Sequence, residues 1–271
     1  MYLADYHLHS TCSPDGNLTM AQVAEEAVRQ GLDEICFTDH LDTIYWVSNE
    51  PRTDFDWEKA QNQFREAQAK FGDKLVMKLG AELGEANLSF ERAEILLKNA
   101  PALDFCIGSV HTMNVSVEEP EQFETVLEEG SVESYRETIE DYLDSELKLA
   151  RWGKFNVLGH LTLPLRYLKE HLRVSMDFEP WMDRVEEIFA EIIPKGVGIE
   201  CNTNRGNEPL PYEKILRRYR EMGGEIITLG SDAHTARHVG CAIRERQELL
   251  RQCGYKYFCT FTAGKPEFKK L

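Results

Sequence analysis

The sequence predicts an α/β fold in which seven or eight βα units close into a single barrel. Three observations predict it. Short apolar segments alternate with amphipathic ones over the whole 271 residues, no Gly/Ser- or Pro-rich linker divides them, and most histidines fall where an apolar segment ends. Such alternation builds repeated βα units on a parallel sheet, not separate all-α and all-β regions. One barrel accommodates this length, so residues 1–271 are read as one domain; an open doubly wound sheet is the alternative arrangement of the same units.

The strand candidates are residues 2–7, 34–38, 74–82, 105–110, 156–158, 197–202 and 225–230, with 257–261 a candidate eighth. Between the first two, Thr19 followed by Gln22 gives a capping-box pattern, Met20, Val23, Ala24 and Ala27 form one apolar stripe, and Gly31 closes the helix. A second helix is expected over 56–71 and another over 131–151, after an acidic stretch, 115–129, read as a surface excursion. Trp181, Val185, Ile188, Phe189 and Ile192 form a further stripe behind Pro180, and Pro194 with Gly196 ends it. The last helix is expected over 237–253.

Composition excludes several classes of function. The chain carries 31 basic and 47 acidic side chains, a net charge of −16, with no long basic block, so the phosphate neutralisation that drives nucleic-acid binding is missing. No apolar run approaches the roughly 18 residues that span a membrane, and Met1 to His9 does not read as a secretion signal, so a soluble, unprocessed, cytoplasmic protein is expected. The seven cysteines are scattered and never in a C-x-x-C pair, unlike a disulfide framework or a structural zinc site. They suit small core positions in a reducing compartment, with Cys12 notable for lying between candidate ligands.

His7, His9, His40, His111, His160 and His234 fall at or just beyond the C-terminal end of a predicted strand, where barrel enzymes place their chemistry. His171 and His238 lie outside this pattern and read as ordinary polar residues. Glu82 ends the third strand, Asp232 follows the seventh, and Asp15 sits in the Ser13-Pro14-Asp15-Gly16 turn. Imidazole and carboxylate are the ligands of hydrolytic Zn, Mn and Fe sites. A lone H-x-H is a weak signal; this set is a strong one.

The order His7-Leu8-His9-Ser10, Asp15-Gly16, Thr38-Asp39-His40, Glu82, Ser109-Val110-His111, Gly159-His160 and Ser231-Asp232-Ala233-His234 resembles the polymerase and histidinol phosphatase (PHP) family, over residues 5–234. The resemblance implies a distorted seven-stranded, TIM-like barrel with three divalent metal ions (Zn, Mn or Fe) at its C-terminal mouth. It implies that His7, His9, Glu82 and Asp232 hold one ion, that Glu82 bridges to a second held by His111 and His160, and that Asp15, His40 and His234 hold the third.

Within the family, the length, Asp42-Thr43 and the segment from Asn202 through Arg205 to Pro209 resemble the histidinol-phosphate phosphatase branch, whose reaction serves histidine biosynthesis. Two departures stand out: Thr162 where many relatives have an aspartate, and Asn204-Arg205 in place of a commoner serine-glycine pair. The implied substrate is a small phosphomonoester, whose charge of about −1.5 to −2 suits a trinuclear centre of net charge near +2. The expected mechanism is attack by a metal-bridging hydroxide on phosphorus, with Arg166 or Arg205 holding phosphate oxygens and Asp39 orienting a ligand imidazole. Two rivals differ in class. A phosphodiesterase acting on nucleotides needs a basic, aromatic track that is not present, and a non-catalytic scaffold would have lost ligands, yet all nine positions are filled.

Overall fold

The computed structural model describes residues 1–113, 121–122, 132–170 and 172–271. Its elements run β1 (Ala4–Leu8), α1 (Met20–Gln30), β2 (Glu34–Phe37), α2 (Trp57–Phe71), β3 (Val76–Gly84), α3 (Phe90–Asn99), β4 (Phe105–Ser109), β5 (Thr112–Met113), β6 (Glu121–Gln122) and α4 (Val132–Trp152). They continue with β7 (Val157–Leu158), α5 (Leu163–Glu170), α6 (Met182–Ile192), β8 (Gly198–Asn202), α7 (Glu213–Glu221), β9 (Ile227–Gly230), α8 (Ile243–Gln252), β10 (Tyr257–Thr262) and β11 (Lys265–Lys270).

Seven strands form one parallel sheet in the order β1-β2-β3-β4-β7-β8-β9. The ring closes just past the strand ends, where Leu8 bridges Ala233 in parallel and the Asp232 amide donates to the His7 carbonyl at 2.8 Å. The closing contact therefore lies at the C-terminal mouth, and the residues that make it are neighbours of predicted ligands. β1, β2, β4, β8 and β9 are buried at every position, as expected for strands covered on both faces.

Local signals set the helix ends. Thr19 and Gln22 form the full capping box of α1, and Gly31 ends it in the left-handed conformation. Asp56 caps α2 through a bond from the Lys59 amide, and Pro180 sits in a short 3-10 turn that leads into α6.

Two expectations are corrected. The candidate eighth strand does form, but it pairs antiparallel with β11 outside the barrel. Phe261 packs on Phe105, and Ala263 and Gly264 bond to Asp104, so this hairpin lies across the end where the strands begin. The last helix begins at Ile243, because Gly240 and Ala242 adopt positive φ and the Gly240 amide donates to buried Asp5. Most of the acidic stretch 115–129 and His171 lie outside the described residues. Among the described residues, no helix is long and apolar enough to cross a membrane.

α4 carries a buried acid, Glu146, beside Tyr142. Burial raises its carboxyl from 4.5 to about 8, against a lowering pull from Tyr142. The folded chain thus keeps the proton where the unfolded chain releases it, and stability is lost as pH climbs through that interval. Glu146→Gln is expected to melt above the parent at pH 8, by roughly 2–4 °C for each kcal/mol relieved, with the gap closing towards pH 5. Equal melting temperatures at pH 8 would show that Glu146 is not held protonated.

Candidate metal centre

All nine predicted ligands meet at the mouth of the barrel. β1 supplies His7, and His9 follows it; His40, His111 and His160 follow β2, β4 and β7; Glu82 lies on β3; Asp232 and His234 follow β9. Asp15 comes from the turn after β1, where Gly16 is required because a Cβ there would sit 1.8 Å from the Ser10 carbonyl oxygen. Asp232 adopts a left-handed φ of 57°, an unfavourable conformation for aspartate that fits a functional site.

Glu82 is the centre of the cluster. Its Oε1 faces His7 Nε2 at 3.3 Å, His111 Nε2 at 3.4 Å and His160 Nε2 at 3.0 Å. Its Oε2 faces His9 Nε2 at 3.5 Å and His40 Nδ1 at 3.0 Å. Asp232 Oδ1 lies 3.7 Å from His7 and 3.5 Å from His9, while Asp15 Oδ2 lies 2.9 Å from His234 and 3.7 Å from His40. His9 belongs to two groups of converging ligand atoms, one with His7 and Glu82 and one with Asp15, His40 and His234; His40, Glu82 and His111 form a third.

The spacing fits bound ions. Ligands held at about 2.1 Å around a tetrahedral ion lie roughly 3.4 Å apart, longer than an ordinary hydrogen bond. The His7, His9 and His111 contacts to Glu82 have that length. His7 Nε2, His9 Nε2, His40 Nδ1 and Glu82 Oε2 are all buried without a hydrogen-bond partner. Buried polar atoms are rarely left so, and a cation between them would satisfy them together.

A surrounding layer of partners fixes which ring nitrogen is available. Ser13 Oγ donates its one proton to Asp39 and accepts from the His40 amide, which leaves it to accept from His9 Nδ1 at 3.0 Å. His9 Nε2 is then bare and turned towards Glu82 and Asp232. His234 Nδ1 donates to the Asp232 carbonyl at 3.0 Å, which frees its Nε2 towards Asp15. Asp39, read as orienting a ligand imidazole or as holding a turn, accepts from the amides and hydroxyls of Ser10 and Ser13 and reaches the His9 ring through Ser13.

The contacts of three buried acids were not foreseen from the sequence, although Asp42 was read there as part of the Asp42-Thr43 resemblance. Glu200 bonds His7 Nδ1 at 2.7 Å, Glu85 accepts from the His111 amide at 2.7 Å, and Asp42 lies 3.7 Å from His40. A signal for Glu200 was present: an acid between Ile199 and Cys201 in an apolar strand must be buried, hence partnered.

The charges are interlocked. Burial works to raise the Glu82 carboxyl, but facing His7, His40 and His111 hold it well below the usual range. Burial acts likewise on Asp232, where Arg166 and His7 prevail and keep it ionised. Burial, with His234 and His40 alongside, pushes His9 down to about 3, so its ring is neutral and ready to bind a cation.

A cleft of about 410 Å³ opens over the cluster, walled by Trp46, Leu163, Tyr167, Arg166 and Arg205. Trp46 meets His40 edge-on, with ring centroids 4.4 Å apart. The two arginines differ sharply. Arg166 is buried and bonds Asp232 at 2.9 Å and Asn204 at 2.8 Å, while Arg205 is exposed in a left-handed turn, φ 55°. Thr162 is buried, and Cys12, half-buried, accepts from Gln63 and joins none of the ligand groups.

Comparison with known proteins adds three findings. The PHP domain model matches residues 5–204. The histidinol-phosphatase of Lactococcus lactis subsp. lactis is 30% identical and aligns over 98% of this chain and 97% of that protein, and a probable histidinol-phosphatase of Thermotoga maritima is 25% identical over 94% of each. The crystal structure of the Lactococcus lactis histidinol phosphate phosphatase, complexed with zinc, L-histidinol and phosphate, is similar with a TM-score of 0.80 at 26% identity, covering 98% of both chains.

Because the buried orphan nitrogens have their natural partner in a cation, chelation is expected to destabilise the protein. Saturating zinc at 100 times Kd adds about 2.7 kcal/mol, roughly 5–10 °C in Tm. Glu82→Gln is expected to remove most of that zinc-dependent shift in a thermal melt; a variant that kept the full shift would remove Glu82 from the ligand set.

Proposed function

The chain belongs to the PHP domain family, and from that membership we propose that it is a metal-dependent phosphatase that hydrolyses L-histidinol phosphate to L-histidinol and phosphate. The observation that carries this reading is Glu82, a buried carboxylate facing five imidazoles, in a chain similar over nearly its whole length to a histidinol phosphate phosphatase crystallised with zinc, L-histidinol and phosphate.

In this reading His7, His9, Glu82 and Asp232 hold one ion, Glu82, His111 and His160 a second, and Asp15, His40 and His234 a third. Bound Zn, Mn or Fe supplies Lewis-acid charge and a water acidified for attack on phosphorus. The remaining roles belong to side chains. Arg205, exposed on the cleft wall, holds phosphate oxygens, while Arg166 keeps Asp232 ionised and in place. Asn204, at one of the family departures, assists by accepting from Arg166. Trp46, Leu163 and Tyr167 exclude water beside the ester and pack on the leaving group. A cleft of about 410 Å³ suits a small ester rather than a polymer.

Zinc-loaded protein is expected to release phosphate from L-histidinol phosphate far faster than it cleaves a dinucleotide. Loss of one charged hydrogen bond in Arg205→Ala should lower kcat/KM roughly 10- to 100-fold with metal content unchanged, whereas Arg166→Ala should lower metal content too. Faster dinucleotide cleavage would overturn the substrate reading, and an inert Arg205→Ala would overturn the assignment of Arg205.

A further inference from the structure

Glu200 is fully buried in the middle of β8, and all of its bonds run to the metal centre or its supports. Its Oε1 meets His7 Nδ1 at 2.7 Å. Its Oε2 accepts from the His160 amide at 2.8 Å and from Asn202 Nδ2 at 3.2 Å. Asn202 in turn accepts from Arg166 at 3.3 Å, and Arg166 bonds Asp232. One carboxylate thus reaches three of the predicted ligands, two directly and one through Asn202 and Arg166.

Neighbouring strands leave room for this contact alone. A Cβ on Gly230 of β9 would sit 2.2 Å from Glu200 Oε1 and 2.5 Å from His7 Cβ. Since that glycine lies in ordinary strand conformation, space and not backbone freedom accounts for it. Glu200 and Gly230 act as one fitted pair against the His7 ring.

We propose that Glu200 is a positioning residue that fixes the His7 tautomer and couples the two inner ion positions, reaching the outer one only at a remove, through Asp232 and the His234 ring bonded to its carbonyl. The proposal rests on the three-ion reading above. An imidazole that binds a cation through Nε2 carries its one proton on Nδ1, and Glu200 Oε1 receives that proton. Glutamine cannot replace it. Both oxygens of Glu200 accept, and an amide offers one acceptor and one donor, so either His7 or the His160 amide would face an N–H. If His7 turned its tautomer to suit, Nε2 would carry the proton and lose its ion. Among the described residues, no hydrogen bond or ion pair joins Glu200 to Asp15, His40 or His234.

The test is zinc stoichiometry and affinity of the full-length wild type and of E200Q and G230A, by equilibrium dialysis with elemental analysis. Both variants are expected to lose affinity at the two inner positions, roughly 10- to 100-fold, and to lose less at the outer one. E200Q that binds the full complement with unchanged affinity overturns the proposal while the three-ion reading stands. Wild type that takes up no zinc overturns that reading and the proposal with it. Should neither variant fold, imidazole nitrogen-15 spectra of zinc-loaded wild type decide: His7 protonated at Nδ1 supports the proposal, and His7 protonated at Nε2 overturns it.

Discussion

A carboxylate closed off from water needs positive charge or hydrogen-bond donors on both oxygens, because an unpaired buried charge costs several kcal/mol even after relaxation. Glu82 is in that position, and five imidazoles from different segments answer it. Satisfying those rings constrains the rest of the mouth. Each has a second nitrogen to partner, and each must arrive at the end of a strand with its ring turned inward. A parallel barrel does this well, because its strands deliver their C-terminal ends to one face while the packed interior keeps them in register. The closing contact between Leu8 and Ala233 lies next to His7, His9 and Asp232, so the same backbone that closes the ring also places those residues.

The layer around the ligands is mostly acidic. Glu200, Glu85, Asp42 and Asp39 are all buried, and Arg166, the one buried arginine or lysine among the described residues, is bound to Asp232 and not to any of them. Such a cluster carries an excess of negative charge that divalent ions would offset. This gives the chain's acidity a local meaning: part of the net charge of −16 is concentrated where cations belong, not merely spread for solubility.

The sequence made the fold legible, and with it the convergence of histidines and carboxylates at one end, because both leave marks along the chain. Apolar segments alternating with amphipathic ones marked the seven barrel strands, and histidines at or just beyond their ends marked the mouth. Capping residues such as Thr19 and Gly31 placed α1 to the residue. What stayed hidden depends on non-local space. The pairing of residues 257–262 with the chain end is a choice between two sheets that local propensity cannot make. The late start of α8 follows from the Gly240 amide binding Asp5, 235 positions away. Arg166 and Arg205 look alike in sequence, and only packing separates the buried one bonded to Asp232 from the exposed one at the rim. Glu200 could have been suspected from its apolar neighbours within a strand, whereas Glu85 and Asp42 lie in segments just beyond strands, where local sequence does not fix burial.

Trp46, Leu163, Tyr167 and Arg205 line the cleft over the cluster, and in the proposed function specificity is assigned to them. In the proposed centre Glu82 would join two ions, with a third beyond it. Anomalous diffraction at the zinc edge from crystals of the zinc-loaded protein tests this most directly. The account predicts three peaks, two of them flanking the Glu82 carboxylate and one between Asp15, His40 and His234. A map with no peak within bonding distance of Glu82 would contradict it.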